Sequence, residues 1–128
     1  MAQTPSSAKM AGVCICLLGS LLLGPTTAIA EYDVKSALQL YDSADSDNRK
    51  VWEIIFGNTY NGMRWANAVL AGKKQKQLFC EPKNVVLTGP EVTEMLRGQL
   101  KADSKFGELP FGFGIFIVLQ AAFPCPGT

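Results

Sequence analysis

Apolar positions along this chain recur mostly at helical spacing, and turn-forming residues divide them into separate segments. Over Asp33 to Ala44, the residues Val34, Ala37, Leu38, Tyr41 and Ala44 follow one another at three and four positions, with Asp33 placed as an N-cap. This predicts a short first helix. The next residues, Asp45-Ser46-Asp47-Asn48, read as a polar turn. Their alternating aspartates resemble the start of a calcium loop, but Lys50 stands where such a loop needs glycine and Phe56 where it needs a bidentate glutamate. No metal is therefore expected. Val51, Ile55, Tyr60, Met63, Ala66, Val69 and Leu70 then form one apolar stripe, which predicts the longest helix over Val51 to Ala71 with Trp52 and Trp65 in or beside the core. Gly57 and Gly62 each cost such a helix about 1 kcal/mol relative to alanine, so close approach of a neighbouring helix is expected at both.

Gly72 is a natural stop for that helix, and Lys73, Lys74 and Lys76 lie beside its negative end, where capping and solvation account for them. Leu78-Phe79-Cys80-Glu81-Pro82 reads as a loop. Thr88-Gly89-Pro90-Glu91 carries the spacing of a capping box, and Leu87 and Val92 are spaced as its hydrophobic staple. A third helix should start there, bury Val92, Met95, Leu96 and Leu100, and end near Asp103. Ser104 to Glu108 reads as a connector. From Leu109 to Phe123 there is no charge and almost no polar face, which predicts a helix buried nearly all round, either central to the domain or shared across a dimer interface. A strand over Ile115 to Leu119 is the alternative, without a partner strand elsewhere. The fold class expected is all-α: a small bundle of about four helices.

Residues 1–30 change this picture by setting the compartment. A lone charge at Lys9, an apolar run from Met10 to Leu23 and the closing Ala28-Ile29-Ala30 have the form of a signal peptide cleaved after Ala30. The run is shorter than the roughly 20 residues that a membrane span requires. Cys14 and Cys16 fall inside it and are lost with it. The expected mature domain is residues 31–128, located in the periplasm. Losing Lys9 balances the eleven acidic residues with eleven basic ones, so neither nucleic acid nor anionic lipid is favoured as a partner. Cys80 and Cys125 remain, in a compartment where disulfides persist, and are expected to bond to each other. Closing a loop of that length stabilises a fold by about 4 kcal/mol in the chain-entropy model.

The chain contains no histidine. Ser-His-Asp and Cys-His nucleophile pairs, histidine-assisted zinc sites and imidazole bases are thereby excluded. Asp45 and Asp47 could form a carboxylate pair, but they lie in the expected turn without oxyanion donors, metal ligands or a phosphate loop. The expectation is a protein that is not an enzyme and needs no cofactor.

Four stretches carry a family resemblance. Asn61-Gly62-Met63-Arg64-Trp65-Ala66-Asn67, Leu78-Phe79-Cys80-Glu81-Pro82, Leu87-Thr88-Gly89-Pro90-Glu91-Val92 and Ala121-Ala122-Phe123-Pro124-Cys125, in this order and spacing, resemble the Rap/Tai family of type VI secretion immunity proteins. The resemblance covers Val34 to Cys125. It implies a small helical periplasmic protein, often a homodimer, that binds and blocks a peptidoglycan amidase effector by occluding its active site. In that family a loop between late helices enters the effector's cleft; by position its equivalent here is Ser104 to Glu108, so Ser104, Lys105, Phe106 and Glu108 are the expected partner-binding residues. Many members of the family carry an earlier cysteine pair, and Tyr41 and Phe56 stand in the corresponding places here. Two other functions compete with this one. One is a periplasmic acid-stress chaperone of the HdeA kind, which would expose the apolar last helix at low pH. The other is a divergent exported helical protein with a role of its own.

Overall fold

The computed structural model describes residues 31–126; the leader and its expected cleavage after Ala30 lie outside them. The chain folds as an all-α bundle: α1 (Val34–Ser43), α2 (Ser46–Gly72), α3 (Gly89–Ala102) and α4 (Phe111–Ala122), with a 3-10 turn at Ser104–Glu108. A Cys80–Cys125 disulfide staples the 73–88 loop to the end of α4. Among the described residues, no helix is long and apolar enough to cross a membrane.

Helices α1, α2 and α3 each start at a side-chain cap, whereas α4 is entered from Pro110 without one. The Asp33 carboxylate accepts from Ser36 N–H at 2.6 Å and opens α1. The backbone before α1 pairs antiparallel with the entry to α4, Val34 N–H donating to Leu109 O and Phe111 N–H to Tyr32 O. Asp45 accepts from the N–H groups of Asp47 and Asn48, so the stretch that reads as a polar turn is the cap and first turn of α2. Helix α2 therefore starts five residues before the position expected from its apolar pattern. Thr88 and Glu91 form the expected capping box of α3, with Val92 buried and Leu87 packed against the core. The Arg97 guanidinium grips the Asp42 carboxylate with two hydrogen bonds, of 2.9 and 3.0 Å, tying α3 to the end of α1. That contact holds the Asp42 carboxyl below its ordinary range.

The face of α2 that is buried differs from the stripe expected. Phe56, Tyr60 and Asn67 are buried, with Trp52 and Met63 at the core edge, whereas Val51, Ile55, Ala66 and Val69 are exposed. Helix α2 carries two apolar arcs on opposite sides. The aromatic arc, Trp52-Phe56-Tyr60 at spacing four, meets the other helices because its rings interlock with Tyr41 and Phe111. Trp65, expected in or near the core, is 74% exposed.

Two of the tightest places in the bundle are at glycines. A Cβ on Gly89 would lie 2.0 Å from the Glu53 carbonyl oxygen, and one on Gly114 would lie 2.3 Å from Val34 Cγ2. The start of α3 thus crosses α2 backbone to backbone, and α4 lies directly on α1. A Cβ on Gly57 would lie 3.6 Å from Gly89 N at the same crossing, an ordinary contact, so the neighbouring helix passes near Gly57 without requiring glycine there. A Cβ on Gly62 would meet nothing within 4 Å, so among the described residues no neighbour calls for glycine there.

Helix α4 buries Phe111, Gly114, Ile115, Val118 and Leu119 but leaves Phe113 exposed and Phe116 and Ile117 half-buried. Within the chain α4 is thus buried on one side and is not central to the bundle, and among the described residues no element covers its outer face. Residues 115–119 are helical.

Candidate functional site

The four stretches that carry the resemblance converge on the 73–88 loop. Asn67 is buried and uses both ends of its amide there: Nδ2 donates to Phe79 O and Oδ1 accepts from Leu78 N–H, each at 2.7 Å. Phe79 inserts its ring into the core. One residue further, Cys80 N–H donates to Phe123 O at 2.8 Å, and its sulfur is bonded to Cys125.

Glu81 closes the arrangement. The Tyr60 hydroxyl donates to one carboxylate oxygen of Glu81, and Arg64 Nε donates to the other at 2.9 Å. The Arg64 guanidinium lies over the Tyr60 ring, 5.6 Å from its centroid. Leu87 N–H donates to the Tyr60 oxygen at 3.2 Å, so one buried phenol holds both the middle of the loop and its end before α3. Burial, reinforced by the hydrogen bond to Glu81, pushes the Tyr60 hydroxyl up to about 12. The polar atoms of this cluster are turned on one another, and it acts as a clamp on the loop.

Trp65, in the first of these stretches, is aimed at solvent. Trp65 stands on α2 beside Asn58, Asn61, Arg64 and Ala68, lining an open recess of about 570 Å³. The helix backbone and the Glu81 contact fix Arg64 at its edge. Sequence periodicity missed the exposure of Trp65, because a tryptophan in an amphipathic segment reads as core. The spacing of seven between Tyr60 and Asn67, one face of a helix, was the available signal for the clamp.

At the 3-10 turn, Ser104, Lys105 and Glu108 are exposed, while Phe106 is only 4% exposed and belongs to the core. The role expected for Phe106 as an aromatic anchor offered to a partner is therefore corrected: its ring holds the turn down. Asp103 accepts from Lys105 N–H, and Leu109 N–H donates to Phe106 O, so both ends of the turn are fixed. Comparison with protein-family models, with curated proteins and with solved structures finds no match to this chain.

Proposed function

We propose that this protein is an exported periplasmic binding protein that inhibits a peptidoglycan amidase effector of a type VI secretion system by occluding its active site, in the manner of the family it resembles. It acts by contact and performs no chemistry of its own. The observation that carries the reading is the turn at 104–108. Phe106 anchors it from beneath, and the hydrogen bonds at Asp103 and Leu109 fix its ends, while Ser104, Lys105 and Glu108 stay exposed. A preorganised turn loses little conformational entropy on binding, which is what a plug for a cleft requires. The disulfide supports the same reading, since it suits an oxidising compartment and fixes the loop and C-terminal segment together.

The test is expression in the periplasm alongside an amidase effector encoded next to it. Protection of the cells, co-purification of the two proteins, and loss of both in Lys105→Glu with the fold intact are the expected results. A chain that binds no neighbouring effector and protects no cell overturns the proposal.

A further inference from the structure

Trp65 is 74% exposed, more than any other large hydrophobic side chain among the described residues. It stands on one line of α2 with Asn58, Asn61 and Ala68, at spacings of three, four and three, over about 15 Å at the helical rise of 1.5 Å per residue. Neither asparagine amide makes a hydrogen bond among the described residues, so each offers both a donor and an acceptor to solvent. A second recess, of about 270 Å³, adjoins the first. Arg64 and Ala68 line both, and Gln77 and Lys83 carry the second along the 73–88 loop. Together they make one groove across the helix and the loop.

The groove lies where the chain concentrates positive charge. From Ile54 to Pro90 there are five basic residues, Arg64, Lys73, Lys74, Lys76 and Lys83, and one acidic residue, Glu81. The Glu81 carboxylate is taken up by Tyr60 and Arg64. The clamp engages Arg64 through Nε alone, and its two Nη groups have no partner among the described residues. Lys83 is exposed and makes no ion pair there. Residues 31–128 are neutral as a whole, so this is a local excess that selects an anionic ligand.

We propose that this groove binds peptidoglycan, with a sugar ring stacked on Trp65 and a stem-peptide carboxylate held by Arg64 and Lys83. A pyranose ring has an apolar C–H face that packs on an indole, and a rim of hydroxyl and N-acetyl groups that pair with the amides of Asn58 and Asn61. The carboxylate accepts from the free edge of the guanidinium. An acidic peptide alone would need a closed apolar pocket for an anchor side chain; the groove offers an open ring, amides and Ala68 instead. In the compartment that the leader implies, peptidoglycan is the polymer that carries both sugar rings and carboxylates. The inference rests on that export and not on inhibition of an amidase, and its residues are separate from the 104–108 turn.

Co-sedimentation of the disulfide-bonded protein with purified peptidoglycan sacculi tests this, together with acrylamide quenching of tryptophan fluorescence in the presence of soluble muropeptide-bearing glycan fragments. The protein should pellet with the sacculi, and the fragments should shield Trp65 from the quencher. In Trp65→Phe the emission comes from Trp52 alone, and the shielding should vanish. Trp65→Ala and Lys83→Glu should each weaken binding about tenfold or more at an unchanged melting temperature, since both side chains are exposed. Phe113→Ala on α4 should change nothing. Chitohexaose, which has the sugar rings without the carboxylates, should bind about tenfold more weakly than the fragments. A protein that stays in the supernatant overturns the proposal, and so does pelleting that Trp65→Ala leaves intact. Equal binding of chitohexaose overturns the carboxylate contact, and equal shielding by polyglutamate overturns the glycan as occupant. Lys105→Glu should pellet as the native protein does even where it no longer protects cells, so the two readings fail separately.

Discussion

Tyr41 and Phe56 pack edge to face, with ring centroids 5.8 Å apart and planes at 84°. The contact joins α1 to α2, and Phe56 extends it to Phe111 on α4 at 4.9 Å. An edge-to-face pair contributes about 0.5–1.5 kcal/mol beyond its buried area. A double-mutant cycle with Tyr41→Leu and Phe56→Leu, read by urea unfolding, should give a coupling energy in that range. Strictly additive effects would show that the rings are neighbours without an energetic link.

The Gly89 crossing makes a sharper demand on sequence. Its missing Cβ would lie 2.0 Å from Glu53 O and 2.8 Å from Glu53 Cα, both backbone atoms of a helix that cannot yield locally. Gly89→Ala should therefore destabilise by at least ~3 kcal/mol, by forcing α3 away from α2. Gly57→Ala, on the other side of the same crossing, meets ordinary van der Waals distances. It should be neutral or stabilise by up to about 1 kcal/mol, as alanine for glycine does within a helix. Thermal melts of the two variants check the contrast, and equal losses would contradict it.

What the sequence disclosed depended on how local the signal was. The Thr88–Glu91 box and the Asp33 cap act within one turn, and each stands where the pattern places it; Gly72 is instead the last helical residue, and the left-handed residue that ends α2 is Lys74. The disulfide was legible because one pair of cysteines survives the expected leader cleavage. The buried face of α2 was not, because both of its sides are apolar and periodicity alone cannot say which one meets α3 and α4. For the same reason Trp65 was misplaced. The Tyr60–Glu81–Arg64 clamp was hidden because Glu81 lies 21 residues from Tyr60 in a loop without periodicity. Whether Phe106 faces a partner or tucks back onto the core stayed open in the sequence, because a five-residue connector gives no indication of which side chain turns inward.

Lys74 occupies a backbone conformation that glycine favours. Its φ is 55°, it follows the Lys73 cap of α2, and the hydrogen bonds Gln75 N–H to Leu70 O and Lys74 N–H to Ala71 O complete a Schellman motif. A side chain in that left-handed region costs about 1 kcal/mol or somewhat more. The Lys74 side chain is exposed, so its removal leaves no cavity. Lys74→Gly should stabilise the protein by ~0.5–1 kcal/mol, measured as an increase in the urea midpoint at constant slope. A loss of stability would mean that the lysine itself holds the end of the helix.

The buried phenol of Tyr60 ties stability to alkaline pH. In the unfolded chain a tyrosine ionises near its ordinary value of about 10; in the fold, burial and the Glu81 contact push Tyr60 up to about 12. A group whose value is raised on folding contributes stability that is present below the unfolded value, and that stability is lost as pH rises through the window from 10 to 12. At neutral pH, Tyr60→Phe removes the hydroxyl that donates to Glu81 and accepts from Leu87 N–H. Leaving those buried partners short of a hydrogen bond should cost about 1.5–3 kcal/mol. Lysine titration affects both proteins alike, so the informative quantity is the gap between native protein and Tyr60→Phe in urea unfolding at pH 8, 10 and 11. The gap should be widest at pH 8 and narrow above pH 10. A constant gap would show that folding does not raise the value at which the Tyr60 hydroxyl ionises.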